Sequence, residues 1–382
     1  MKKKVLFAAT VYTHLAHFHI PFIQQFQQKG FEVHAIGNPN EGGKEKIEGL
    51  GVICHTIHFS RSPFSIGHLR ASRELKTLFN NYSFDLIHVH TPIASFLVRY
   101  FAKQYNQGPV LYTAHGFHFH KGSSLLNWFL YYPVEKTAKK WTDGLIVINE
   151  EDYQLAQKMG YTPGQNLFIT HGVGVDLTHY NKGVTPLINI RKELAIQDDD
   201  VVITCVAEFS INKNHELLVS AWKKLLVKHD HIHLLLVGTG SQEQHVRAIV
   251  QEEQIQHVHF LGYRHDVHHI LKCSDVITLV SKREGLPKSI MEGMALGLPA
   301  IVTNVRGSRD LVNHTQNGLL TNGEVTNLEE HLSTLIEDKA TRQRMGNEAL
   351  LKVKNYSVDH VLSELDQIYE RFLQHNVKVI SS

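Results

Sequence analysis

Short runs of apolar, β-branched residues alternate along the chain with longer stretches whose apolar positions recur every three or four residues. In the first half the runs lie at residues 5–10, 31–36, 51–55, 86–90, 110–114, 144–148 and 167–170. In the second half they lie at 201–207, 233–237, 258–261, 276–280, 300–303 and 318–320. Helical spacing fills the intervals, as at 216–228, 242–251, 289–295 and 328–337. A continuously apolar strand is covered on both faces, and alternation with helices predicts parallel sheets. One open sheet holding every run would be unusually wide, so the pattern predicts two doubly wound α/β domains. Their joint is expected at 181–186, a polar segment containing Gly and Pro, which gives domains at 1–183 and 184–357. Segment 358–382 carries Val361, Leu362, Leu365, Ile368, Tyr369 and Phe372 at helical spacing. It predicts a helix that packs on the second domain or returns to the first.

With 382 residues, the chain is long enough for two such cores. Lys plus Arg number 39 and Asp plus Glu 37. That balance argues against a nucleic-acid partner, which calls for a strongly basic domain. The first 180 residues lean basic and the remainder acidic, pointing the first half toward an anionic partner or surface. Cys54, Cys205 and Cys273 lie far apart with no C-x-x-C, so neither a disulfide framework nor a zinc ribbon is expected. No apolar run reaches the roughly 18–20 residues of a membrane span. The basic residues 2–4 and the apolar run 5–10 read as a first strand rather than a signal peptide. A soluble protein of a reducing compartment is expected.

Histidine is abundant, with 28 copies, several in H-x-H spacing: His17/His19, His88/His90, His118/His120 and His231/His233. Two ligands two apart on a strand share a face, as a metal site requires. No carboxylate or cysteine recurs at regular offsets, however. The pairs are therefore expected to be surface residues, with no metal bound.

Ligands of open parallel sheets bind beyond the carboxyl ends of the strands, and two facing domains would form a cleft there. The stretch after run 276–280 is the most informative. Gly285 suits a tight turn, and Pro287 suits the first turn of a helix. The free N–H groups of Lys288, Ser289 and Ile290 would then face an anion, helped by the helix dipole. Glu284 and Glu292 bracket this point. On one helix, eight residues span about 12 Å, whereas a glycosidase pair stands roughly 5–9.5 Å apart. The two carboxylates therefore suit different parts of one extended ligand, such as a sugar nucleotide with its vicinal diols. The plain alternative is two exposed glutamates favoured by the dipole.

The segment E-G-L-P-K-S-I-M-E-G-M-A-L-G-L-P-A-I-V-T, from Glu284 to Thr303, resembles the signature of the retaining glycosyltransferases of family GT4, which have the GT-B fold. Further similarity to the bacterial capsular and exopolysaccharide branch lies in F-H-I-P from Phe18, D-L-I-H-V-H-T-P from Asp85, T-A-H-G-F-H from Thr113, N-E-E-D from Asn149 and H-G-V-G-V-D from His171. The resemblance implies two Rossmann-like domains facing a central cleft, the first binding acceptor and the second a nucleotide-sugar donor. It implies that Glu284 binds donor-sugar hydroxyls, that Glu292 binds the ribose and that Gly285, Leu286, Pro287, Lys288 and Ser289 complete the donor site. Lys213 would neutralise the diphosphate, and His115 would contact the donor near the reacting carbon. A fixed cation is what a departing diphosphate needs. Neither cofactor nor metal is implied beyond the nucleotide sugar itself.

Two departures stand out. Glu208 occupies the place where the family often has arginine, leaving Lys288, Arg283 and Arg306 as candidate extra cations. The glycine-rich loop that many members carry after the first strand is here A-T-V-Y-T-H from Ala9. Gly238-Thr239-Gly240-Ser241 lacks the third glycine of a dinucleotide fingerprint, and Asp198-Asp199-Asp200 precedes a strand and reads as a turn. Residues 117–141 combine aromatics with lysines, the make-up of an interfacial membrane segment. Stretch 125–132 is almost continuously apolar, which predicts a buried helix. The resemblance favours the membrane, since such enzymes extend lipid-linked saccharides at the inner leaflet, and it implies a cytoplasmic, peripherally associated protein. A sugar-nucleotide epimerase on the same fold and a non-catalytic sugar-nucleotide-binding partner are the alternatives.

Overall fold

The computed structural model describes residues 2–62, 65–181 and 190–379. Strands β1 (Lys4–Val11), β2 (Glu32–Asn38), β3 (Ile53–Thr56), β4 (Leu86–Val89), β5 (Val110–Ala114), β6 (Gly144–Val147) and β7 (Leu167–Ile169) form one parallel sheet in the order β3-β2-β1-β4-β5-β6-β7. Strands β8 (Val201–Val206), β9 (Ile232–Val237), β10 (Val258–Gly262), β11 (Val276–Leu279), β12 (Ala300–Thr303) and β13 (Gly318–Thr321) form a second, in the order β10-β9-β8-β11-β12-β13. Strands β1, β4, β5, β6, β9, β11 and β12 are buried along almost their whole length, as helices on both faces require. Each sheet reverses its winding once, between β1 and β4 and between β8 and β11, and each reversal opens a crevice at the carboxyl ends of the strands.

The chain divides into two units, Met1–Val173 with Asp359–Ser382, and Gly174–Val358. The expected joint lies largely at 182–186, outside the described residues. The helix Val358–Val379 belongs almost wholly to the first unit: Val361, Leu365, Ile368 and Tyr369 bury among Phe7, Phe22, Phe26 and Leu111. Tyr369 also reaches β4, where its hydroxyl lies 2.8 Å from Nδ1 of His88, while the other ring nitrogen lies 2.7 Å from Oγ1 of Thr113.

The helix Leu125–Ala138 reverses the expectation of a buried segment. Leu125 and Phe129 are each 81% exposed, and Leu126, Leu130 and Val134 are exposed as well. Its buried residues are Glu135 and Ala138. The reason is a polar anchor: the fully buried Arg99 donates to Glu135 at 3.0 and 3.2 Å, and also to Ser95 O, Ser95 Oγ and Thr142 Oγ1. Arg99 lies over the ring of Tyr112 at 4.3 Å. With the one carboxylate on the helix turned inward, the apolar residues on the other side must face out.

Removing one partner of a buried pair leaves an uncompensated charge, which costs about 3–5 kcal/mol. Glu135→Ala should therefore lower the urea midpoint of the first unit substantially. The double variant Arg99→Met/Glu135→Leu should recover most of that loss. Equal midpoints for wild type and Glu135→Ala would show that the pair anchors nothing.

Candidate functional site

In the second unit two loops meet where the winding reverses. The loop after β8 runs from Ala207 to Asn214, and Phe209 fixes it by burying fully and stacking on His215 at 4.1 Å. Backbone from the loop after β9 locks the other side: Thr239 O accepts from Phe209 N at 3.0 Å, and Phe209 O accepts from Gln242 N at 2.9 Å. Gly238 permits that approach, because its φ is +141° and a Cβ there would lie 2.1 Å from Ala207 O. The incomplete dinucleotide motif is thus a packing device for its neighbouring loop.

The loop after β11 joins it directly. Lys282 N donates to Asn212 O at 2.8 Å, Asn212 Nδ2 donates to Arg283 O at 3.0 Å, and Lys213 Nζ pairs with Glu284 Oε1 at 2.5 Å. Glu284 is only 9% exposed. A third strand end contributes Arg306, which is buried and donates from Nε to Glu284 O at 3.1 Å. Gly307, at φ +72°, presses on this loop so closely that a Cβ would sit 2.1 Å from Gly285 O. Of the cations named from the sequence, Arg306 is therefore built into this assembly, while Arg283 is exposed, as is the anionic Glu208.

The helix Lys288–Ala295 starts immediately afterwards. Pro287 is its N-cap, at φ −73° and ψ 113°, and so stands one position outside the first turn expected for it. The Pro287 side chain makes no capping hydrogen bond, and the helix start is a positive dipole end. Glu292 lies on the same helix. Burial raises its carboxyl above the usual value, opposed by Lys288 at 3.9 Å and by a hydrogen bond from the Tyr180 hydroxyl. Tyr180 escaped the sequence reading because nothing local marks a residue that meets its partner across more than a hundred positions.

His115 belongs to the first unit, directly after β5. It joins His14, His19, His88 and His90 at the carboxyl ends of β1, β4 and β5, with His19 stacked on His90 at 3.7 Å. The expectation of surface histidines fails here and at His233, since His19, His88, His90 and His233 are buried. They survive burial by being neutral: desolvation lowers His115 to about 4 and His14 and His88 to about 3. Among the described residues, two groups have ligand atoms close enough to hold a metal, His14 with His19 and His115, and His171 with His360 and Glu364.

Comparison with known proteins gives a consistent result. Residues 188–352 match the family model described as glycosyl transferases group 1, and residues 4–149 match the one described as glycosyl transferase 4-like. The chain is 34% identical over 384 residues to "Putative glycosyltransferase EpsD" of Bacillus subtilis (strain 168), covering 99% of each. It is 26% identical to the Escherichia coli "UDP-Gal:alpha-D-GlcNAc-diphosphoundecaprenol alpha-1,3-galactosyltransferase", over 79% of this chain and 80% of that one. Anabaena Alr3699/HepE, solved in complex with UDP and glucose, shares the fold with a TM-score of 0.80 at 18% identity, over 97% of this chain and 100% of its own.

The buried imidazoles make stability pH-dependent. Burial lowers His88 to about 3 and His55, His215 and His259 to about 4, from an ordinary 6.5. The unfolded chain takes up protons that the native chain refuses, so their contribution is complete above pH 6.5 and shrinks as pH falls toward 4. Thermal unfolding followed from about pH 7.5 to about pH 4.5 should show Tm falling steadily below about pH 6.5. A flat or rising Tm over that range would contradict the burial of neutral histidines.

Proposed function

The chain belongs to the GT4 glycosyltransferases and has their GT-B fold, and from that premise we propose that it moves a hexose or N-acetylhexosamine from a UDP-sugar to a lipid-linked saccharide, with retention, in the biosynthesis of capsular or exopolysaccharide. The observation that carries this reading is the meeting of Lys213, Glu284 and Arg306 at the reversal point of the second sheet, next to the start of the helix Lys288–Ala295. The name of the Escherichia relative and the UDP complex of the Anabaena protein support the donor and acceptor classes.

In this reading Glu284 accepts hydrogen bonds from the donor-sugar hydroxyls, and Glu292 accepts from the ribose. The N–H groups of Lys288 and Ser289, with Gly285, Leu286 and Pro287 shaping the turn, receive the diphosphate. Lys213 leaves its pair with Glu284 to meet the charge that develops as the anomeric carbon–oxygen bond breaks. The electron pair stays on the departing phosphate oxygen, which takes the proton of the attacking acceptor hydroxyl. Attack from the same face forms the new glycosidic bond with retained configuration. His115 contacts the donor near that carbon. The protein supplies position and charge, and the reaction draws on neither a cofactor nor a metal.

The exposed face of the helix Leu125–Ala138 supports the lipid acceptor and an inner-leaflet surface. Leu125, Leu126 and Phe129 stand beside the exposed Lys121, Lys136 and Lys140, an apolar face with a basic border. A groove of about 350 Å³ lined by Pro92, Ile93, Phe96, Leu97 and Leu130 runs alongside it. No helix among the described residues is long and apolar enough to cross a membrane.

The test is incubation with a panel of UDP-sugars and undecaprenyl-diphosphate-linked saccharides, with products followed by mass spectrometry. One donor should give a lipid-dependent product, and Glu284→Ala should lower its rate at least about hundredfold, with circular dichroism confirming that the variant is folded. Full activity of that variant would overturn the donor-site assignment, and donor binding without turnover would overturn the transferase. Separately, the double variant Leu126→Asp/Phe129→Asp should lose sedimentation with anionic vesicles at unchanged stability. Undiminished sedimentation would remove this helix from the membrane surface.

A further inference from the structure

Two motifs of the sequence, T-A-H-G-F-H from Thr113 and N-E-E-D from Asn149, meet in the first unit. Neighbouring strands β5 and β6 end side by side, with Ala114 paired to Val147. His115 follows β5 directly, and the helix Glu150–Lys158 starts shortly after β6. Asn149 caps that helix, its Oδ1 accepting from Asp152 N at 2.9 Å. In a capping box the carboxylate at this third position turns back on its own helix. The Asp152 carboxylate also reaches out of it. Its Oδ2 accepts from Asn149 Nδ2 at 2.9 Å and from Phe117 N at 3.1 Å. Asp152 is fully buried, and a carboxylate holding a backbone N–H makes one of the stronger hydrogen bonds.

The bond falls at a telling place. Gly116, between His115 and Phe117, has φ +129°, in the region that favours glycine. The chain turns there, and the amide that Asp152 holds is the first one beyond the turn. Farther on, Glu151 Oε1 accepts from Lys121 N at 2.8 Å, so the first turn of one helix holds the segment at both ends. Between these anchors Phe117 and Phe119 are buried and stacked at 4.9 Å, and His118 stacks on Tyr131 at 4.6 Å.

We propose that Asp152 is a positioning residue for sugar transfer: by holding the Phe117 amide beyond the Gly116 turn, it sets where the His115 ring stands against the donor. The inference rests on the role given to His115 in the proposed function. A glycine beside a reacting group permits the turn but leaves the backbone free to move. Displacing such a group by about 1 Å can cost about hundredfold in rate, so the turn needs an anchor from outside itself. Asp152 supplies it through the backbone. Neither motif reveals this alone, since 35 residues separate the two partners.

Rates are measured with the UDP-sugar and lipid-linked acceptor that the panel above identifies, on variants checked by circular dichroism. Asp152→Ala should lower kcat at least about tenfold, with KM for the donor and calorimetric UDP affinity within about twofold of wild type, because the second unit holds the nucleotide. Asp152→Asn keeps an oxygen for the Phe117 N–H and should restore kcat to within about threefold of wild type. The double variant Asp152→Ala/His115→Ala should be no slower than His115→Ala, since Asp152 acts through that ring. Full activity of Asp152→Ala, a change confined to donor KM, no recovery in Asp152→Asn, or multiplied losses in the double variant would each overturn the inference while leaving the transferase standing. Full activity of His115→Ala would overturn the role of His115 and the inference with it. Should Asp152→Ala not fold, hydrogen–deuterium exchange of the wild-type chain still decides: the Phe117 amide should exchange slowly, and exchange as fast as in exposed loops would remove the anchor.

Discussion

The ion pair between Lys213 and Glu284 ties together the loops leaving β8 and β11, and the organisation of the candidate site depends on it. An acid and a base so shielded from water need one another, because either alone would carry a desolvation cost. The surrounding backbone is shaped to hold them there. Phe209 anchors one loop, Asn212 stitches it to the next, and Arg306 clamps the carbonyl of Glu284 itself. Gly238, Gly240 and Gly307 are positions where side chains would force these loops apart. In the function proposed above, the pair is the resting state of a site that receives a polyanion, with Lys213 held in place by a carboxylate until a diphosphate competes for it.

Much of this was legible in the chain. Strands covered on both faces must be continuously apolar, so their number and parallel direction followed from pattern alone, while their order within each sheet did not. The loop from Ser281 to Pro287 was legible because glycine and proline restrict backbone in known ways, and the resemblance to GT4 rested on that segment. Other features come from contacts that no window can hold. Arg99 and Glu135 lie 36 residues apart, and their pairing turns an apolar helix outward against its composition. Periodicity says that a helix has an apolar face; it does not say what that face meets. Tyr180 and Glu292 meet in the same way, and so do the histidines, whose H-x-H spacing suggested surface positions until three strand ends gathered them.

The two units solve different physical problems with one architecture. The second places charge and backbone donors at its reversal point, as a diphosphate requires. The first places neutral imidazoles at the corresponding point and an outward apolar helix beside it. Their burial carries a cost on acidification, since each withheld proton is a stability difference between folded and unfolded chain. Tyr369 extends the same arrangement to the C-terminal helix through His88, so the last helix is fastened to the strand end that carries the cluster.

The central claim is that the loops after β8 and β11 receive the nucleotide sugar. Hydrogen–deuterium exchange with and without saturating UDP-sugar tests it most directly. The account predicts slowed exchange in residues 208–214 and 282–290, centred on Lys213 and Glu284, and its reversal in Glu284→Ala. Unchanged exchange in both segments, with protection confined to the first unit, would contradict it.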